Sequence, residues 1–378
     1  PGWGKILDHQ PLLPELTAAN GVETVYVSDN PLLSGPRFGF VRRTGALPRS
    51  SGYVADERSY LLPVAGDARP ERQEPTARAV ATGIEALGEL KRTRPFFLGI
   101  DAFNPVDAFE MPRQHVRWEG PLPNDVAVPL DHRYVEQSEA QVGDGTVDTV
   151  RERYAAEVTA VDRAIGRLLN AIDDAGLADS TVVYLVGDSG IALGEQGVFG
   201  HPAGVWHRRV YQVPYMIRDP RRRWAGDTSS WFVSTHDAAP TILSYLGITI
   251  PGKMDGEDLT TLFDEDDLPS RAYFTTALDT HVVVGNRNWL LLGRTDQDRW
   301  RLFEAEEEDE PDEIRSETVK SPTVLADMKR YAIMAAGGTL PEFDDAAALR
   351  PQPPADKNKR VADDGTLDED EQEANELR

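Results

Sequence analysis

Apolar residues recur along the chain with two different periods, and the two periods alternate. In "PLLPELTAANG", Leu12, Leu13, Leu16 and Ala19 fall at helical spacing, and Gly21 can end the helix. "VETVYVSDN" follows, with Val22, Val25 and Val27 in a short β-rich run that stops at Ser28-Asp29-Asn30. "TARAVATGIEALGELKR" predicts a second helix, and "PFFLGIDAFNP" a second buried strand ending at Asp101. The longest regular stretch is "DTVRERYAAEVTAVDRAIGRLLNAIDDAG". It places Tyr154, Val158, Val161, Ile165, Leu168, Leu169 and Ile172 on one stripe opposite a charged face. Gly176 is placed as its C-cap. The stretch runs into a strand, "TVVYLVG", and "VPYMIRD" and "HDAAPTILSYLGI" add a further strand and helix. Such alternation predicts an α/β fold, a three-layer α/β/α sandwich around a mostly parallel central sheet. Strands 22–28, 96–101, 181–187 and 213–217 are expected to share that sheet, with helix 148–175 among its covers.

The pattern changes near residue 266. "HVVVGNRNWLLLG" and "DRWRLFEAE" read as antiparallel strands, and "SPTVLADMKRYAIMAAGG" as a helix. This predicts an α/β domain over 1–265, a small C-terminal α+β subdomain with an antiparallel sheet over 266–345, and a tail over 346–378. In the tail Pro, Ala, Asp and Glu dominate, a composition that disfavours a packed core. The Gly-, Pro-, Arg- and Ser-rich stretch 31–75 reads as irregular.

Composition narrows the partners. Of 378 residues, 40% are hydrophobic, enough for a sizeable core. The formal net charge of −24 repels nucleic acid and anionic membranes unless a local basic patch overrides it. We therefore expect no nucleic-acid and no membrane partner. There is no cysteine, which excludes disulfides and thiolate metal sites. No apolar run reaches the roughly 20 residues of a membrane span. A soluble protein is expected, with the compartment open and the cytosol favoured. The start at Pro1 and the helical-looking end "DEDEQEANELR" lead to the expectation of a fragment of a longer chain.

Catalytic groups of open α/β sheets collect at the carboxyl ends of strands. Asp29, Asp101 and Asp188 stand at such ends. For Asp29 and Asp101 a turn-initiating cap is the preferred reading. Asp188 differs, because glycines on both sides allow close backbone approach to a ligand.

"VVYLVGDSGIALGEQGVFGHP" together with "VYQVPYMIRDP" resembles the sulfatase family of the alkaline phosphatase superfamily. Asp188 matches that family's metal ligand, "LGEQG" at 193–197 its glycine-rich segment, and His201 its substrate-contacting Lys or His. "VPYMIR" at 213–218 matches the closing strand. "PFFLGIDAFNPVDAFEMP" is similar to the strand and Asp-Pro-His-Glu-Pro loop, "YAAEVTAVDRAIGRLL" to the long helix before the metal strand. "HDAAPTILSYLGITIPGKMDGEDL" is similar to a later family segment. The resemblance runs in family order over most of 11–345.

Three departures bear on function. The family's N-terminal region is missing; it carries two metal-binding carboxylates and the Cys/Ser-x-Pro-x-Arg motif whose first residue matures to formylglycine. "SGPR" at 34–37 has the wrong spacing and place, and reads as a turn. Ser189 holds the second metal-ligand position, where a hydroxyl is a weaker ligand. Val106 holds the position of the loop histidine.

The resemblance implies a sulfatase-like hydrolase acting on a small-molecule or sugar sulfate ester. Its nucleophile would be supplied by the missing region. Sulfate ester hydrolysis builds negative charge that a divalent cation neutralises. Oxygen ligands favour a hard ion, Ca²⁺ first and Mg²⁺ or Mn²⁺ as alternatives. Asp188 and Ser189 would hold the metal, and His201 would act as cation or acid. Two readings stand beside it: a phosphodiesterase or phosphonate monoester hydrolase of the same superfamily, and a non-catalytic sulfatase-shaped binding or structural protein. Ser189 and Val106 favour the last; Asp188, the glycine-rich loop and His201 favour the enzyme. His236 reads as a cap or core partner, His207 as a solvated turn, and the acidic run from Glu304 as surface.

Overall fold

Helix α1 (Leu13–Ala19) opens with the Leu12 amide donating to Glu15 Oε2 at 2.8 Å. It closes at Gly21, whose φ of 79° is left-handed and suits glycine. β1 (Glu23–Ser28) then lies parallel between β2 (Val41–Arg43) and β3 (Phe96–Asp101). In the β1–β3 ladder Glu23 faces Phe96 and Ser28 faces Asp101. The computed structural model describes residues 11–28, 41–43, 75–90, 93–102, 105, 146–193, 199–200, 208–221, 225–252, 254–261, 271–278, 281–295, 299–305 and 321–340. Of the positions singled out above, Asp29, Val106, His201, His207, most of the 193–197 loop, the 34–37 turn and the 346–378 tail lie outside the described residues.

α2 (Pro75–Glu89) and α3 (Thr146–Asp174) pack against each other and cover one face of β1 and β3. Val25, Val27, Ala79, Ala86, Leu87 and Ile172 form this core. At Gly83 α2 comes so close to β3 that a Cβ would overlap the Ile100 side chain. α3 ends as expected, with Gly176 at φ 69° and the Leu177 amide donating to Ile172 O at 3.0 Å. Its buried face follows the expected stripe at Leu168 and Ile172 and departs from it further up the helix. Ala156, Ala160 and Ala164 are buried, while Val158 is 41% exposed. Small residues let a helix lie close to its neighbours, so the buried face follows side-chain size as well as hydrophobicity.

After α3 come β4 (Val183–Val186), the short β5 (Ala192–Leu193) and β6 (Phe199–Gly200), α4 (Arg208–Tyr211), β7 (Tyr215–Arg218) and α5 (Ala238–Tyr245). β4 pairs antiparallel with β7, Val186 facing Tyr215. Val183 joins the α2–α3 core, whereas Tyr184 meets Tyr215 and, from α5, Tyr245, at ring centroid distances of 6.0 and 6.5 Å. Helices therefore lie on both faces of the strands, and the fold is α/β as expected. The expected single sheet is not what the described residues form. β1, β2 and β3 make one parallel sheet, and β4 and β7 a separate antiparallel ribbon. Among the described residues no ladder joins β3 to β4, and β4 has its one ladder with β7, the strand that follows α4.

The C-terminal sheet runs in the order β11-β10-β9-β8, from β8 (Phe274–Leu278), β9 (His281–Gly285), β10 (Trp289–Arg294) and β11 (Arg299–Glu304), all antiparallel. α6 (Pro322–Ala335) covers one face, burying Met328 and Ala332 on Val282, Val284, Leu291 and Leu302. The other face, Val283, Leu290, Leu292 and Phe303, packs on Ala192 and Val210. A second tie runs through Asp237, which is fully buried. Its carboxylate accepts from the Ser234 amide at 2.7 Å, the Glu257 amide at 2.8 Å and Arg271 Nη1 at 2.7 Å. Arg271 stands just before β8, so this ion pair holds the start of α5 against the entry to the C-terminal sheet. No helix among the described residues is long and apolar enough to cross a membrane.

Candidate functional site

The tip of β4 is built for a sharp exit. The Gly187 amide donates to Pro214 O at 2.9 Å, and a Cβ at Gly187 would stand 3.1 Å from both Val213 Cβ and Pro214 Cδ. Two residues past Asp188, the Gly190 amide donates to Val210 O at 2.8 Å. These bonds tie the chain on each side of Asp188 and Ser189 to the entry of β7 and to α4. Both side chains are exposed, with Ser189 Oγ 3.4 Å from Asp188 Oδ1. β5 then pairs with β6, Ala192 facing Gly200 and Leu193 facing Phe199. The glycine-rich segment of 193–197 thus lies mainly in the connection between β5 and β6. His201 follows β6 and lies outside the described residues.

The sequence alone favours a turn cap at Asp101. Here it closes β3 in register with Ser28, and Ser28 Oγ donates to Asp101 Oδ2 at 2.8 Å. Burial pushes the Asp101 carboxyl above the usual carboxylate range, the Ser28 hydrogen bond draws it back, and the negative charge of Asp188 raises it further. The carboxylates at the ends of β3 and β4 therefore feel each other. Tyr26, on the neighbouring strand, is raised by burial and by the charge of Asp101. Ser28 and Asp101 end their apolar runs alike, which is the one sequence signal of their partnership. Only the ladder shows that the two ends coincide.

Among the described residues no group of three or more His, Cys, Asp or Glu is placed to hold a metal ion. The donors present are oxygens: the Asp188 carboxylate, the Ser189 hydroxyl, and the Asp101 carboxylate within electrostatic reach. Such a set suits a hard divalent cation and is short of the 6–8 oxygens, roughly, that calcium takes. His236, read as a cap or core partner, is exposed in a short 3₁₀ turn, its Nδ1 2.9 Å from Ser234 Oγ.

The family model described as Sulfatase matches residues 2–248. The chain is similar to N-acetylglucosamine-6-O-sulfatase of Bacteroides thetaiotaomicron, 29% identical over 164 residues that make up 40% of this chain and 29% of that protein. It is also similar to the multifunctional alkaline phosphatase superfamily protein PehA of Trinickia caryophylli, 26% identical over 198 residues, 46% of this chain and 38% of the relative. The chain thus spans well under half of either relative's length. Among solved structures, the phosphonate monoester hydrolase of Agrobacterium radiobacter shares the fold, with a TM-score of 0.66 at 16% identity over 89% of this chain and 82% of that one.

Proposed function

This chain belongs to the sulfatase family, within the alkaline phosphatase superfamily, and we propose that it is a hydrolase of sulfate esters. It would work with a divalent metal and with a formylglycine-type nucleophile carried on a segment outside residues 1–378. The observation that carries this reading is the strand-tip carboxylate: Asp188 stands exposed between two backbone-anchored glycines, with Asp101 close enough to feel its charge. Two carboxylates held near each other repel, and a cation between them removes that cost.

A divalent cation held at this tip would supply charge neutralisation for the ester oxygens. Asp188 holds it, and the Ser189 hydroxyl adds a second, weaker donor. Asp101, fixed by the Ser28 hydroxyl, stands at the neighbouring strand end. His201 protonates the leaving oxygen. Ca²⁺ is the first choice of metal, with Mg²⁺ and Mn²⁺ as alternatives. The substrate is a sulfated sugar or another small sulfate ester. Ser189, a hydroxyl where the family carries a stronger ligand, favours a second reading: a non-catalytic protein that keeps the shape and binds the ester.

The test compares the 378-residue chain with a longer protein that carries the nucleophile motif. The chain alone is expected to hydrolyse neither an aryl sulfate nor a phosphodiester above buffer, and to bind Ca²⁺ or Mg²⁺ weakly in calorimetry. The longer protein is expected to turn over the sulfate, and Asp188→Ala to abolish both metal binding and turnover. Turnover by the isolated chain that survives Asp188→Ala would place the activity elsewhere and overturn the assignment.

A further inference from the structure

The N-terminal half of α3 carries charge on its buried face. Val150, Arg153, Glu157, Ala160 and Ala164 recur at three and four, and all are buried. They continue the side on which Leu168, Ala171 and Ile172 join the core over β1 and β3. Arg153 is only 6% exposed. Among the described residues it makes no hydrogen bond and no ion pair. Glu157, one turn on, is engaged elsewhere and does not pair with it. Burial draws the Arg153 guanidinium down from its ordinary value, and no neighbouring charge raises it again. None of its nitrogens is among the fully enclosed polar atoms that lack a partner. The stem is therefore buried while the guanidinium keeps contact with solvent. Asp237, the other buried charge described above, is instead met by Arg271 and two backbone amides. Arginine keeps its charge at any ordinary pH, so a guanidinium held largely out of water is not relieved by losing a proton. It is relieved by taking an anion.

The helix carries Arg153 to the same end of the sheet as the strand tips. Ile172 and Val183 share one core. From Ile172 back to Arg153 is about 28 Å along the helix. From Val183 on to Asp188 is about 17 Å along the strand. α3 therefore reaches past the tip of β4. Arg151 ties this end of the helix to the loops there, its Nε donating to Leu193 O at 3.1 Å. Arg153 thus stands at the carboxyl end of the strands, with Asp101 and Asp188, and not at the far side of the domain.

We propose that Arg153 is the receiving group of an oxyanion site at this end of the sheet, separate from Asp188. Its guanidinium fork takes an oxyanion through two parallel N–H bonds. The negative charge of Glu157, which also raises the neighbouring Tyr154, faces the same side one turn on. A singly charged oxyanion therefore suits the place better than a doubly charged one. Such an anion comes either as a group on the ester or free in solution. That it belongs to the substrate rests on the hydrolase reading; the anion site itself does not.

The experiment follows thermal unfolding of the 378-residue chain in methyl sulfate and in chloride at matched ionic strength, without added metal. At saturation, methyl sulfate should raise the melting temperature of the parent by about 2 °C more than that of Arg153→Met, and Arg153→Lys should keep part of the gain. Inorganic sulfate, doubly charged, should separate parent and variant less. In chloride Arg153→Met should melt no lower than the parent, because methionine keeps a buried stem and removes a cation without a partner. An arginine with a purely structural role predicts the opposite. A variant that melts more than about 2 °C below the parent in chloride, an equal methyl sulfate gain in both, or a wider gap in inorganic sulfate would overturn the proposal.

A longer protein with turnover separates the two sources. If the anion is part of the substrate, Arg153→Met should raise KM at least about tenfold for an aryl sulfate that bears a carboxylate, and leave an uncharged aryl sulfate within about twofold. Equal KM values in parent and variant, with the Arg153-dependent gain in melting temperature intact, would assign the site to a free anion. Failure of the hydrolase reading would show instead as a longer protein without turnover and with that gain unchanged.

Discussion

β9 is buried at all five positions from His281 to Gly285, whereas β4 is buried at none of the four from Val183 to Val186, nor β3 at any of its six. The side chains do not explain this. "HVVVG", "VYLV" and "FFLGID" are similarly apolar. What differs is cover. β9 has a ladder on each edge, α6 on one face, and Ala192 and Val210 against the other. β4 and β3 have helices against their faces, but among the described residues each has a ladder on one edge only, with β7 and with β1. A continuous apolar run asks for cover on both faces and on both edges. The C-terminal sheet obtains its edges and one face from its own neighbours in sequence, and its other face from Ala192 and Val210. We read β3 and β4 as inner strands of a wider sheet, with Asp101 and Asp188 at the ends that face the opening.

Matched truncations can break this comparison. Phe303, 1% exposed, should lose about 3–5 kcal/mol on mutation to alanine, by denaturant unfolding. Leu98, half-buried on β3, should lose only about 1–2 kcal/mol in the 378-residue chain. In a longer protein that completes the sheet, the Leu98→Ala cost should rise toward the range of about 2–5 kcal/mol seen for fully buried leucines. An unchanged cost would mean that β3 is an outer strand after all.

A third substitution joins the two regions instead of separating them. Arg271→Met removes the charge partner of the fully buried Asp237 carboxylate. Uncompensated buried charge costs about 3 kcal/mol or more. Because Asp237 starts α5 and Arg271 precedes β8, both sheets should loosen in one transition, visible as amide exchange in β7 and β8 together. Exchange confined to β8 would show that the pair braces only its own side.

The contrast also marks what the residues announce locally and what they do not. The strand at 183–186, its exit at Gly187 and the exposed Asp188 follow from an apolar run broken by glycine, which is local information. The neighbours of that strand are not local. Nothing in "VVYLVG" names β7 as its ladder partner or tells that no ladder joins it to β3, so the pattern predicts one sheet where the described residues form two. Asp101 reads as a cap for the same reason, since only its register with Ser28 shows two strand ends meeting. α3 is legible as a helix with its Gly176 stop, but the apolar stripe points to Val158 and its companions as the buried face. Ile172 and Leu168 keep to that stripe, but Ala156, Ala160 and Ala164 are buried where Val158 is exposed, and alanine carries too little apolar surface to announce a face.

The smallest expected effect concerns how the open region holds itself together. The C-terminal sheet rests mainly on apolar burial, which acid does not touch. β7 leans on polar ties at its exit: Arg218 with Asp173 at 2.8 Å, and Asp219 with Arg221 and Tyr245. Arg221 Nη2 donates to Asp219 Oδ2 at 2.6 Å and the Tyr245 hydroxyl to the same oxygen at 2.9 Å. The Arg221 hydrogen bonds hold the Asp219 carboxyl down at about 2, with burial working against them and Tyr245 adding to them. A carboxyl lowered in the folded state favours its charged form there. It therefore stabilises the fold above the unfolded value of about 4, and the contribution is lost as pH falls toward about 2. Arg221 is largely solvated, so the tie is worth at most about 1 kcal/mol. Asp219→Asn should lower the melting temperature slightly at neutral pH, and the gap to the parent chain should close as pH falls from about 4 to 2. A gap that stays constant through that range would show that the Asp219→Asn variant differs from the parent in packing, and that the acid sensitivity of β7 has another source.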